Sequence, residues 1–294
     1  MPFHDLTQDE LRSYCRGVVE ALEYWLRRLV DQELTRAFGS DFLNAQDEHG
    51  NNVANREIRE SITSRFNGSP DRYARPIDAA LLDDVIDLVC NPRLFARFFQ
   101  APLQVAYPNG RDEARTFLKR LVEPRNRLSH ANPISIRQAE QIVCYSGDVI
   151  DSIKQYYLAN NMSQSYNAPT VIKIEDSFGH SVHDGGIRRN STGSGFVDFR
   201  ADSQSDLRPG DTLSVEVEAD PSFEPEGYEV SWAFYNQDPS IRSFRGNRLV
   251  LDIENKHVKP DFVIYCKVTS NLDWHRLGDC DDRVSIIYRI LPPL

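Results

Sequence analysis

Residues 159–169 read ANNMSQSYNAP, a polar stretch with no hydrophobic period of its own. The chain carries a different period on each side of it. Upstream, Leu11, Cys15, Val18, Leu22, Trp25 and Leu29 recur at alternating steps of four and three, the stripe of a long amphipathic helix. Ala139, Val143, Ser146, Ile150, Ile153 and Tyr157 repeat those steps just before the stretch. Each run is preceded by a capping-box pair, Thr7 with Glu10 and Ser135 with Gln138. Shorter helical segments are predicted near 54–66, 77–90, 92–100 and 111–123, the last ended by Pro124. Two long helices framing shorter ones predict an all-α antiparallel bundle.

Downstream the period falls to two. In TLSVEVEAD (212–220), Leu213, Val215, Val217 and Ala219 point one way and Ser214, Glu216, Glu218 and Asp220 the other. TVIKI, YEVSWAFYN, NRLVLDI, FVIYCKV and VSIIYRI are further strand-like runs, with turns such as RPGD between them. Six or so short strands predict a β-sandwich of immunoglobulin type, with Trp232 in its core and Cys266 on a late strand. No cysteine on 212–220 is available to bridge Cys266, so packing alone holds the sandwich. The predicted architecture is α then β: a helical domain at 1–160, a linker at 161–167 and a sandwich at 168–294.

The net charge of −10 argues against generic adhesion to nucleic acid. Within 91–137, however, nine Lys/Arg face only Asp112, Glu113 and Glu123. That segment is either a set of solvated helix faces or a local phosphate-attracting patch. Five scattered cysteines, never at CxxC spacing, fit a reducing compartment, and the start lacks the charge and apolar pattern of a secretory signal. No apolar run has the length of a membrane span. The expected location is cytoplasmic, with no membrane contact.

The basic segment ends in EPRNRLSHANP (123–133), with Arg125-Asn126 followed at 130 by a histidine. A helical domain carrying Arg-Asn-x3-His before its last long helix resembles the HEPN superfamily of ribonucleases, over residues 1–160. The resemblance implies metal-independent RNA transesterification leaving a 2′,3′-cyclic phosphate, no cofactor, and a homodimer in which two motifs line one cleft. The chemistry is consistent: a histidine side chain titrates near neutrality and suits proton transfer, and an arginine fork suits charge growing on phosphoryl oxygens. On an ideal helix Arg125 and His130 lie about 140° apart, so either the segment bends or two copies meet.

The expected catalytic residues are therefore His130 as general acid/base, Arg125 as phosphate ligand and Asn126 as positioner. Arg127, Ser129, Arg120, Lys119 and Arg115 are the expected RNA contacts, to tRNA or single-stranded RNA. His130 is followed by Ala131-Asn132, which departs from branches that carry a tyrosine two residues after the histidine. The plain alternative makes Arg125 a helix-end cap and His130 a turn residue. The protein would then be a non-catalytic dimeric adaptor binding RNA or protein.

The sandwich weakly resembles sensor domains appended to bacterial nucleotidyltransferases of anti-phage systems. That implies a protein or nucleotide-like trigger, with Asn236 and Arg245 as ligand contacts, and a toxin-like or defence effector overall. Three other clusters are read as structural. Asp83, Asp84 and Asp87 form a solvated acidic face, and His180, His183 and Asp184 a surface turn. The glycines of DGGIRRNSTGSG lack the strand–loop–helix setting of a phosphate loop.

Overall fold

A computed structural model describes residues 3–69, 72–162, 167–190, 193–201, 206–234 and 244–294. The chain divides into two units, 1–70 with 75–163 and 71–74 with 164–294. The first is helical and the second is built of sheets, the α-then-β order the two periods predict. The only part of the expected linker described is 161–162 and Asn167.

In the helical unit, α1 (Gln8–Phe38) and α7 (Ile136–Ala159) pack along one another. Both capping boxes form. Trp25 of α1 is fully buried against Tyr157 of α7, ring centroids 6.0 Å apart. Between these helices in sequence come α2 (Arg56–Gly68), α3 (Leu82–Val89), the short α4 (Pro92–Leu94), a π-helical turn at Phe95–Phe99, and α5 (Gln100–Leu103). α6 (Arg111–Ser129) follows and packs on α1, α3 and α7.

α6 corrects one expectation. Pro124 does not end the helix, which runs on to Ser129. An interior proline costs roughly 3 kcal/mol through its missing N–H and its ring clash, and three contacts offset this. Pro124 and Leu128 are buried with Leu118 and Leu121. Arg16 of α1 donates to the Leu128 carbonyl at 2.9 Å. Arg12 of α1 donates to the Ala131 carbonyl.

The helix then stops in a left-handed C-cap. Ala131 sits at φ 55°, and the Asn132 N–H returns to the Arg127 carbonyl at 2.9 Å. A Cβ is disfavoured in this conformation by about 1 kcal/mol. Ala131→Gly should therefore raise the melting temperature of the helical unit, read by circular dichroism, and a lower value would contradict this helix end.

Asp84 is a second correction. It is not solvated: it is buried, accepts the Leu81 N–H at the start of α3 (2.9 Å) and pairs with Arg65. Asp83 is exposed, and Asp87 pairs with Arg115 and Lys119 of α6, each at 2.9 Å.

The sheet unit holds ten strands among its described residues. One sheet has the order β2-β1-β5-β8: β1 is Val171–Asp176, β2 Ser181–His183, β5 Thr212–Ala219 and β8 Arg248–Asp252. The other runs β3-β4-β10-β9-β6-β7: β3 is Arg188–Arg189, β4 Gly195–Asp198, β6 Tyr228–Phe234, β7 Phe244–Arg245, β9 Lys259–Ser270 and β10 Asp282–Ile290. β10 pairs antiparallel with β9 and parallel with β4. Ile174, Val215, Val217 and Leu249 from the first sheet share one core with Trp232, Ile264, Cys266 and Ile286 from the second, so the two sheets form a sandwich. Trp232 is buried, with its indole N–H donating to the Gly246 carbonyl at 2.7 Å.

His257 packs beside Phe262, and its Nδ1 accepts the Glu254 N–H at 3.0 Å, a bond only the neutral ring can make. Burial holds its pKa below the usual 6.5. The unfolded chain therefore binds this proton more readily, and the stability that neutral His257 contributes is lost as pH falls below about 6.5. His257→Asn, which keeps an acceptor near Nδ1, should flatten the fall in sandwich stability between pH 7 and 5. Parallel urea titrations of the two proteins would show it, and superimposable pH profiles would exclude it.

Candidate functional site

The last two turns of α6 and the turn after it carry the Arg-Asn-x3-His motif. Residues four apart on a helix share a face. Asn126 and His130 accordingly line one shallow, open groove of about 500 Å³ with Lys119, Val122, Glu123, Arg127 and Asn132. His130, the residue that closes α6, is exposed.

Arg125 lies on the neighbouring face. Its Nε donates to Glu23 Oε1 of α1 at 2.6 Å, and its Nη1 reaches Asn126 Oδ1 at 3.4 Å. The Arg125 side chain is 17% exposed and that of Glu23 9%. The other Glu23 oxygen accepts from Arg27 at 3.4 Å. Within one copy, then, Asn126 connects the arginine to the groove that holds the histidine.

The other expected RNA contacts divide. Lys119 and Arg127 line the groove. Arg127 is steadied by the Pro133 carbonyl (3.0 Å) and by Glu123 (3.3 Å). Arg115 lies one turn before Lys119, and Asp87 compensates both. Arg120 lies over the Phe117 ring, 5.1 Å from its centroid, with Tyr145 close by. Ser129 turns back to the Arg125 carbonyl at 3.1 Å, which makes it a helix-end residue in this arrangement.

Sequence reasoning missed Glu23. The available signal was its spacing, four residues after Val19 and three before Leu26, both buried. A carboxylate on the apolar stripe of a long helix needs a buried cationic partner.

The two buried cysteines of the helical unit are poor nucleophiles. Burial pushes the Cys15 and Cys90 thiols up to about 11, far from the thiolate form a nucleophile needs. Among the described residues, no group of three or more His, Cys, Asp or Glu side chains could hold a metal ion. His180 instead meets Asp176 Oδ2 through Nδ1 at 2.8 Å, and residues 184–195 contain a single 3-10 turn (Asp184–Gly186) and no α-helix among those described.

In the sheet unit, Arg245 pairs with Glu229 at 2.8 Å. Asn236 lies outside the described residues. A cleft of about 670 Å³ is lined by Glu175, Glu216, Glu218, Glu224 and Glu229 together with Phe223, Tyr228 and Lys173, which pairs with Glu175 at 3.1 Å. No described helix is long and apolar enough to cross a membrane.

No family model matches the chain, and no curated protein matches it.

Proposed function

We propose that the helical unit is a HEPN-type endoribonuclease. It would act as a homodimer in the cytoplasm, as a toxin-like or anti-phage effector restrained by the sandwich. The observation that carries this reading is the groove at the end of α6. It places Asn126, His130, Lys119 and Arg127 together, with Arg125 hydrogen-bonded to Asn126 at its edge.

RNA supplies its own nucleophile. The 2′-oxygen attacks the adjacent phosphorus, the P–O5′ bond breaks, and a 2′,3′-cyclic phosphate and a 5′-hydroxyl result. The reaction needs a proton acceptor for the 2′-OH, a proton donor for the departing oxygen, and fixed positive charge at the phosphoryl oxygens. His130 is suited to the proton transfers and Arg125 to the charge. Two copies would supply two histidines, one for each transfer. Lys119 and Arg127 would hold flanking phosphates.

The cleft of the sandwich, with five glutamates against Lys173, suits a protein trigger presenting basic side chains better than a nucleotide.

The test is cleavage of a tRNA and single-stranded RNA panel in EDTA by the full chain and by residues 1–163. Cutting by both, with more by the shorter protein, would support a nuclease restrained by its sandwich. Cutting that needs a divalent ion would overturn the mechanism. A second reading, the dimeric adaptor, draws on the pairing of Arg125 with Glu23 rather than with the groove. RNA binding by an intact dimer without cleavage would favour it.

A further inference from the structure

We infer that Glu23 is a positioning residue for Arg125, acting from α1 across 102 positions of sequence. This rests on the nuclease reading above. A guanidinium has five N–H donors in a rigid plane, and an arginine at the end of a long side chain samples many orientations unless one edge is fixed. Glu23 takes the Nε edge at 2.6 Å. Glu23 is buried, and Arg27 holds its second oxygen. Asn126 Oδ1 takes one Nη1 hydrogen at 3.4 Å. Two contacts set the plane, and among the described residues neither puts a partner on Nη2. The unused donors belong to the end of the guanidinium that meets Asn126, a residue of the groove.

Glu123, the carboxylate that lines the groove, is two residues before Arg125 on α6 and does not face it. Glu123 is instead engaged by Gln138 at 2.7 Å and Arg127 at 3.3 Å. Glu23 therefore never touches RNA. It holds a donor fork where the growing phosphoryl charge would meet it, so its loss should appear in turnover rather than in substrate binding. A misplacement of about 1 Å in such a group can cost 10²-fold.

The experiment measures kcat and KM for an RNA cut by the wild-type dimer, using Glu23→Gln, Arg125→Ala and the double variant, with melting curves for each. Glu23→Gln is expected to lower kcat by about 10- to 100-fold with KM within about threefold. The double variant should be no slower than Arg125→Ala, because the two act as one unit. Should Glu23→Gln fail to fold, Glu23→Asp keeps the charge, shortens the reach by one methylene, and is expected to show the same loss.

Full activity in Glu23→Gln beside a dead Arg125→Ala would overturn the inference alone, leaving Glu23 as a brace between α1 and α6. Additive losses in the double variant would overturn it too. Wild-type activity in Arg125→Ala, or no cleavage by any protein, would remove the nuclease reading and this inference with it.

Discussion

His130→Ala should abolish RNA cleavage without weakening the fold. The imidazole is exposed at the end of α6 and makes none of the contacts that hold this end of the helix. Those are the Leu128 and Ala131 carbonyl bonds to Arg16 and Arg12 and the buried Leu128. Truncating an exposed side chain of this kind shifts stability by less than about 0.5 kcal/mol. Loss of a positioned general acid/base costs about 10²- to 10⁴-fold in rate, and a dimer that uses both histidines loses both at once. Single-turnover cleavage with melting controls measures the two quantities side by side. A variant that melts like wild type and still cuts would make His130 a turn residue.

Arg125→Ala should lose about 10²- to 10³-fold as well, the effect of removing one donor to developing negative charge. Unlike His130→Ala it should also destabilise the helical unit, because the buried Glu23 is left with Arg27 alone. Arg125 thus tests chemistry and packing together, whereas His130 isolates chemistry.

The largest expected effect on stability lies in the other unit. Asp282, fully buried, accepts from Arg189 at 2.7 Å and Arg276 at 3.1 Å, and from the N–H groups of Val171 (2.8 Å) and Arg283 (2.9 Å). Val171 opens β1 of one sheet and Asp282 opens β10 of the other, so this one carboxylate joins the two layers. Asp282→Ala leaves two arginines and two strand N–H groups without it. Breaking a buried pair by removing one member costs about 3 to 5 kcal/mol, a large fraction of a domain's stability. The sandwich transition in urea should move to a markedly lower midpoint while the helical transition stays put. A shift within error would show that solvent and neighbouring groups replace the carboxylate without cost.

The α-then-β order was legible because a 3.6-residue period and a 2-residue period cannot be confused over runs as long as α1 and β5. Both capping boxes and the core position of Trp232 were legible for the same local reason. What was missed depends on distant contacts. Pro124 reads as a stop, and the helix continues through it with Pro124 and Leu128 buried and with bonds from Arg12 and Arg16 of α1, more than a hundred positions away. The strands β2, β3 and β7 are two or three residues long, too short for alternation to register. At the site, spacing brought out Asn126 and His130. The orientation of Arg125 was set by Glu23, which sits in a largely apolar stripe and is visible only as a break in its pattern.

The place of β10 bears on how the protein is made. That strand is the last of the ten to be synthesised, yet it lies inside its sheet, between β4 and β9. The second sheet cannot close until β10 emerges, whereas α7, the last described α-helix, ends at Ala159, more than a hundred residues earlier. Domains fold as units as they leave the ribosome, N-terminal first, and long-range parallel pairing is slow. On each nascent chain the helical unit is therefore complete while the sandwich is still an open set of strands. If the helical unit is the dimeric nuclease proposed above and the sandwich restrains it, that restraint arrives late, and only the wait for a second copy would stand between a growing chain and the RNA around it.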